Sequence, residues 1–279
     1  MVKNMLILMD GTRDSEKLLD LSVRLFNQPN NQYNATFING IRNKHLGDLF
    51  EIPSESLNYY YSYSDILDKI LHTEQDNSNE FIERFINKCE EMNIRTRVYL
   101  NEDDTEKGFA SDSMFSDLLV IGKSIFTRKY SDKSSIEILE STLSKARCPI
   151  LLLPNESPSF KNIVILFDGS QRSFDAIKLF VYLSADQLKK NKVILFTIVN
   201  EHTVVSEKNV CDYLKVHQPF FSVNRIYPDN YYNELLSGLS DLDEFLLVTG
   251  VSRQENIEDV ISNRENSFYL KGNRSVFML

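Results

Sequence analysis

The sequence predicts two tandem α/β domains, each a doubly wound parallel sheet of five strands with helices on both faces, of the Rossmann-like type. The first observation is a repeat, because MLILMDGTRDS at 5–15 returns as IVILFDGSQRS at 163–173. The second is an alternation of short apolar runs with helical periodicities in both halves. The third is the length of 279 residues, which suits two domains of ordinary size.

Each copy of the repeat is typical of a buried strand, a sharp turn and the start of a helix. The apolar run has strand length, and an Asp-Gly pair interrupts it. In the first copy the hydroxyl of Thr12 or Ser15 can cap the helix, because it can accept a hydrogen bond from a free amide of the first turn. Ser170 and Ser173 occupy the matching positions in the second copy.

The other apolar runs predict four further strands in each half. They lie at 35–41, 94–100, 117–122, 148–153, 193–199, 221–227, 244–250 and 275–279. Strands that are this apolar belong to parallel sheets covered on both faces, with right-handed crossovers. Ligands of such sheets bind at the carboxyl ends of the strands, and Asp10 and Gly122 both fall there.

A polar segment with two prolines, PNESPSF, separates the halves. It predicts a first domain over 1–154 and a second over 160–279. The first domain carries an insertion at about 42–79 that includes the tyrosine-rich LNYYYSYSD. These rings either pack a loop onto the domain or form a lid or interface, since tyrosine offers apolar area and a polar tip.

Composition narrows the class of protein. The net charge of −9 argues against a nucleic-acid binder. No apolar run has the length of a signal peptide or a membrane span. The three cysteines are far apart and predict free thiols in a reducing, cytoplasmic compartment. The four histidines show no zinc-ligand spacing, so no metal site is expected.

Several fragments together resemble a tandem universal stress protein. They are the two Asp-Gly turns, the fourth strands LLVIG and LLVTG, and the fifth strand RCPILLLP, and they cover both halves of the chain. The resemblance implies a stress-response protein. Members of the family that bind ATP share a pattern of Gly, two residues, Gly, nine residues, Gly and then Ser or Thr. Glycines there let backbone amides approach phosphate oxygens.

This chain departs from that pattern in both copies. Gly122 and Gly250 match the first glycine, but Ile125 and Arg253 stand at the second, and Ser135 and Asn263 at the third. Asp10 and Asp168 match the acidic residue that lies near adenosine in the members that bind ATP, although each can instead serve its turn by a hydrogen bond to the following amides. The resemblance assigns the following residues to this nucleotide site, whether intact or vestigial: Asp10, Gly122, Ser124, Ser134, Ser135, Asp168, Gly250 and Arg253.

Two interpretations of the degenerate loop stay open. Ser134 and Ser135 can simply cap a helix, or they can hold an anion, as can Arg253 or Lys123. Cys148 is expected to be a small buried apolar residue, not a nucleophile.

The leading function is therefore a non-enzymatic stress-response or signalling protein that binds a ligand or a partner, with no catalytic residues and no cofactor. The alternative is an ATP-binding sensor with weak or no hydrolysis, which would make ATP its ligand. A nucleotide-dependent ligase or pyrophosphatase is a third possibility, but the first loop lacks the SGGxDS form of that class. Fold alone does not decide among these functions.

The terminal strands predict how the halves meet. The runs 149–153 and 275–279 are too apolar for exposed sheet edges. We expect them to lie side by side, so that the two domains pair within one chain. A homodimer and an unidentified protein partner are further expectations; neither a nucleic acid nor a membrane is expected as a partner.

Overall fold

The fold is a single mixed sheet with helices on both faces. A computed structural model describes residues 3–9, 13–26, 32–37, 82–92, 95–100, 112–127, 144, 146–154, 160–227, 231–239, 242, 244–250 and 274–279. The ten strands are β1 (Asn4–Met9), β2 (Gln32–Phe37), β3 (Arg95–Leu100), β4 (Leu118–Gly122), β5 (Ile150–Leu153), β6 (Asn162–Phe167), β7 (Lys192–Ile198), β8 (Phe221–Ile226), β9 (Phe245–Thr249) and β10 (Ser275–Met278).

The described helices alternate with the strands, as the sequence predicts. They are α1 (Arg13–Leu25), α2 (82–91), the short α3 (Ser124–Thr127), α4 (Gln171–Lys190), α5 (Glu201–His217) and α6 (Tyr231–Leu239). Helix α1 follows β1 and α4 follows β6, which confirms the predicted order of strand and helix in both copies; the turn between them is described in the second copy.

The strand order across the sheet is β3-β2-β1-β4-β5-β10-β9-β6-β7-β8. Each half therefore has the same internal order, and all strands within a half are parallel. In each half the first three strands are added in one direction across the sheet and the last two in the other, so the direction reverses between the first and fourth strands. The carboxyl ends of β1 and β4, and of β6 and β9, are thus the places where such sheets bind ligands.

The expectation of two separate five-stranded sheets needs correction, because the ten strands form one sheet. Strands β5 and β10 are antiparallel neighbours, with Val276 opposite Leu152 and Phe277 opposite Leu151. This is the neighbour relation expected from the apolar runs at 149–153 and 275–279. The physical reason is that each strand supplies the backbone partners that the other would lack at an open edge.

The apolar core is continuous across β5 and β10 on both faces of the sheet. On one face, helices α1, α2, α4 and α5 cover a cluster in which Phe180 meets Phe277 at a ring-centroid distance of 5.3 Å. On the other face, α6 and Ile125 belong to a second cluster with Val276 and Met278. Both halves therefore contribute side chains to each core.

Helix α4 is interrupted where it approaches the first half. Ser184 has φ −134° and ψ 30°, which is not helical. The buried Lys3 donates from Nζ to the carbonyl oxygen of Leu183, and Gln187 donates from Nε2 to that of Leu25 at 2.8 Å. The break in α4 thus coincides with hydrogen bonds between the two halves.

Most predicted strands begin and end within two residues of the observed ones, but β2 begins at Gln32 instead of residue 35. The tyrosine-rich insertion, a predicted helix at 64–72 and the helix predicted from Ser134 lie outside the described residues. The domain limits 1–154 and 160–279 stay predictions.

Candidate functional site

The turn after β6 is built by three consecutive residues. Gly169 has φ 82°, a left-handed conformation that glycine adopts without a Cβ penalty. Asp168 accepts a hydrogen bond at Oδ1 from the amide of Ser170 at 2.9 Å. Ser170 then caps α4, because its Oγ accepts from the amide of Ser173 at 3.1 Å. Asp168 therefore serves the turn with one carboxylate oxygen.

Asn200 links this turn to the next crossover. Its Nδ2 donates to the carbonyl oxygen of Asp168 at 2.8 Å. Its own amide donates to Thr203 Oγ1 at 2.8 Å, while the Thr203 amide donates to Asn200 Oδ1 at 2.9 Å. This reciprocal pair caps α5 and holds the carboxyl ends of β6 and β7 together. The sequence analysis missed Asn200, although an Asn three residues before a Thr at a helix start is a capping signal.

Gly250 lies at the carboxyl end of β9 in tight contact with the first turn of α4. A Cβ placed on Gly250 would lie 2.2 Å from the carbonyl oxygen of Arg172 and 2.7 Å from the Cα of Ser173. Both neighbours are backbone atoms, so a side chain cannot be accommodated without moving the helix. Glycine here permits close packing of helix on strand.

Gly122, the matching residue at the end of β4, has more room. A Cβ there would lie 3.3 Å from the two terminal methyl carbons of Leu18 and 3.5 Å from Ser124 Oγ. Ser124 is buried, and Ile125 is 3 % exposed within the second core cluster. The position at which the ATP-binding pattern has its second glycine is thus filled by a packed apolar side chain.

Lys123, between Gly122 and Ser124, is the most unusual residue of this edge. It is only 4 % exposed, and its amide donates to the carbonyl oxygen of Leu153 at 2.8 Å. Within the described part of the chain its Nζ has no hydrogen-bond partner. Burial lowers the pKa of Lys123 to about 7, and the positive charge of Arg274 contributes to the shift.

Arg274 comes from the second half and precedes β10. Its guanidinium carbon lies 5.4 Å from the centroid of the Phe245 ring, a cation–π contact. The sequence analysis did not single out Arg274. The sequence signal that could have identified Arg274 is its position directly before the apolar run 275–279, which is expected to lie beside the run 149–153.

The structure brings together only part of the predicted site. Asp168 and Gly250 follow the neighbouring strands β6 and β9 on one edge, and Gly122 ends β4 close to Ser124. Asp10, Ser134, Ser135 and Arg253 fall outside the described residues. Whether these residues bind a nucleotide stays a prediction. Cys148 is 3 % exposed, which confirms it as a buried residue.

The described residues contain neither a cluster of metal-ligating side chains nor a helix suited to a membrane. No group of three or more His, Cys, Asp or Glu side chains there is arranged to hold a metal ion. No helix among them combines the length and apolar character needed to cross a membrane.

Comparison with known proteins identifies the fold. A universal stress protein from Archaeoglobus fulgidus DSM 4304 is similar with a TM-score of 0.57 and 12 % identity, over 99 % of this chain and 95 % of that one. A protein described as a universal stress protein from Pseudomonas aeruginosa UCBPP-PA14 gives a TM-score of 0.51 at 10 % identity, over 100 % and 93 %. A functionally unknown protein from Pseudomonas aeruginosa PAO1 gives 0.50 at 10 %, over 100 % and 92 %.

The chain therefore has the fold of the universal stress proteins along nearly its whole length. No protein-family model matches the sequence, and no curated protein is similar enough in sequence to count as a relative.

Proposed function

We propose that the protein is a non-enzymatic stress-response or signalling protein that acts as a ligand- or partner-binding module. Its fold, shared with universal stress proteins of two organisms over nearly the whole chain, supports the stress-response assignment. Fold similarity does not specify a chemical activity, so the residues at the carboxyl ends of the strands in each half must indicate one.

The observation that carries the proposal is the contact between Gly250 and α4. A glycine that leaves its backbone open to phosphate would have free space where a side chain is missing. At Gly250 that space holds the Arg172 carbonyl group and the Ser173 Cα. The carbonyl oxygen is negatively polarised and would repel a phosphate oxygen. This glycine is therefore explained by packing, without a nucleotide.

The polar side chains around the β6 turn are also engaged with their own backbone. One Asp168 oxygen accepts from the Ser170 amide, and the Ser170 hydroxyl oxygen accepts from the Ser173 amide. The Ser173 hydroxyl donates to the Ser170 carbonyl oxygen at 2.9 Å. An activated nucleophile needs a general base within hydrogen-bond reach. These local capping bonds support a structural role for both hydroxyls.

Titration calorimetry with millimolar MgATP tests the proposal. We expect no heat beyond that of dilution. Backbone atoms of α4 fill the space beside Gly250, and the packed side chain of Ile125 stands where the ATP-binding pattern has its second glycine. The Asp168→Asn variant is the matched control, since it keeps the shape of the turn residue while removing its charge. A micromolar Kd in the wild type that weakens in Asp168→Asn would overturn the proposal.

That result would favour the second candidate, an ATP-binding sensor with weak or no hydrolysis. The observation in its favour is the pair of cationic residues Lys123 and Arg274 near the carboxyl edge of the first half. A burst of phosphate release in the same samples would further separate an enzyme from a sensor.

We also propose that the two halves act as a paired unit within one chain. The antiparallel contact of β5 with β10 supports this, because it uses the apolar edge of each half. A homodimer would then form through another surface, and β3 and β8 are the outer strands of the sheet. Sedimentation over a range of concentrations measures whether such a dimer forms.

A further inference from the structure

We propose that Lys123 and Arg274 form a binding site for a compact oxyanion, a phosphate or carboxylate group, where β5 and β10 join the two halves. The inference goes beyond the leading function proposed above, which names no particular ligand.

The strand register places the two cationic residues in one row and on one face. Gly122 is opposite Leu153, and Val276 is opposite Leu152, so Lys123 and Arg274 both lie two rows beyond the row of Val276 and Leu152. Lys123 follows Ile121 by two positions, and Arg274 precedes Val276 by two. Ile121 and Val276 belong to the same core cluster. Because strand side chains alternate between faces, Lys123 and Arg274 share that face.

The amine of Lys123 is buried without a hydrogen-bond acceptor among the described residues. It has three donors when charged, and among the described residues none of them finds an acceptor. Burying an ammonium group without a partner is costly. An oxyanion that reaches Nζ would supply both the missing acceptors and the missing negative charge.

The nearby charge on Arg274 decides the sign of the ligand. Arg274 repels a charged Lys123, which is why it lowers the pKa of the amine further. A bound cation would add to this repulsion, whereas an anion between the two side chains attracts both. Since Lys123 is only 4 % exposed, the group that contacts Nζ must be compact.

The repeat offers an internal comparison that argues against a purely structural role. Gly122 matches Gly250, so Lys123 corresponds to Val251. Leu119 pairs with Ile150 and Leu247 pairs with Val276, so Arg274 corresponds to Cys148. In the sequence, the two corresponding positions of the repeat therefore hold apolar residues in place of the two cations. Joining β5 to β10 does not itself require two cations.

Thermal unfolding of the full chain in millimolar inorganic phosphate, against chloride of equal ionic strength, tests the site. We expect phosphate to raise the midpoint of the wild type, because a ligand that binds the folded state stabilises it. The rise should vanish in Lys123→Met and shrink in Arg274→Gln. Lys192→Met, which removes an exposed lysine at the start of β7, three strands away from β10, should behave as the wild type. An equal rise in all four proteins would overturn the proposal.

A second measurement does not depend on the variants folding. In wild-type protein labelled with 13C at lysine Cε, the Lys123 resonance should titrate near neutral pH and move to higher pH when sulfate is added. Sulfate is suitable because its charge is constant in this range. With sulfate, the apparent Kd should rise about tenfold per pH unit above the pKa of the free amine. A Lys123 titration unchanged by sulfate, phosphate and acetate would refute the site.

Comparing the anions identifies the ligand class. A larger effect of phosphate and sulfate than of acetate indicates a phosphate group, and the reverse indicates a carboxylate. The outcome is independent of the MgATP titration, because a protein that fails to bind ATP can still bind a single oxyanion at Lys123.

Discussion

Replacing Gly250 with alanine tests whether that residue is required for packing. The added Cβ would lie 2.2 Å from the Arg172 carbonyl oxygen, a distance that real Cβ contacts essentially never show. The first turn of α4 must therefore move by about 1 Å to restore an ordinary contact, since backbone atoms cannot rotate away as a side chain can.

The cost has two parts. Overpacking of a well-packed region typically costs about 1–3 kcal/mol. Moving the turn also weakens the Ser170 cap of α4, and a cap contributes about 1 kcal/mol. We expect Gly250→Ala to lower the free energy of unfolding by roughly 2–4 kcal/mol. For a chain of this size each kcal/mol lowers the melting temperature by about 2–4 °C.

Gly122→Ala is the matched control, because it makes the same change at the equivalent position of the first half. Its Cβ would meet the Leu18 side chain at 3.3 Å, which can shift by a few tenths of an ångström, and Ser124 Oγ at an ordinary contact distance of 3.5 Å. We expect a change within about 1 kcal/mol, with either sign. Urea unfolding of both variants, followed by circular dichroism, gives the two values under identical conditions.

Equal effects in the two variants would refute the reasoning. If Gly250→Ala is as stable as the wild type, α4 does not pack against β9 as described. If it is stable and also loses binding of a nucleotide, Gly250 serves a ligand and the proposed function is wrong as well.

Three further predictions concern the pairing, the cap and the buried lysine. Deleting 276–279 should lower the melting temperature of the whole chain and increase binding of a hydrophobic dye, because β5 and β9 both lose their neighbour β10; unchanged melting would contradict the pairing. Asn200→Ala should cost about 1–2 kcal/mol in urea unfolding, since it removes a helix cap and the bond to the Asp168 carbonyl, whereas Asn224→Ala on the exposed face of β8 should cost little. Lys123→Met should be more stable than the wild type below pH 7, and this difference in the free energy of unfolding should shrink by up to about 5 kcal/mol as pH rises toward 10.5. Between these pH values the unfolded lysine still binds a proton that the folded one has lost, so the wild type gains stability. A difference independent of pH would contradict the lowered pKa.

The fold could be predicted because its signals are local. An apolar run of strand length, an Asp-Gly break and a hydroxyl cap occur within eleven residues, and they occur twice. The start of β2 could not be found in this way. Gln32 and Asn34 are polar, yet they join the strand because their backbone pairs with β1. There the polar side chains bond to each other, with Gln32 Nε2 donating to Asn34 Oδ1 at 3.0 Å.

The site was harder to predict because its contacts are distant in sequence. Asp168 and Ser170 were recognisable, since a turn and a cap involve neighbouring residues. The contact of Gly250 with Arg172 spans 78 positions, and no local pattern reveals that a helix approaches so closely. Nor does the sequence show that Lys123 is buried, because lysine is usually an exposed residue.

The difference between the two ends of the β5–β10 junction bears on how such a lysine can be tolerated. In a symmetric homodimer joined through these edge strands, a Lys–Arg pair at the junction would occur twice, and the cost of burying the amine would be paid twice. In a single chain the two ends of the junction are different sequences, and only one of them has the cations. The other end keeps Cys148, buried in the second core cluster. The end with Cys148 can therefore stabilise the junction by apolar packing, while the end with Lys123 and Arg274 is free to bind a ligand.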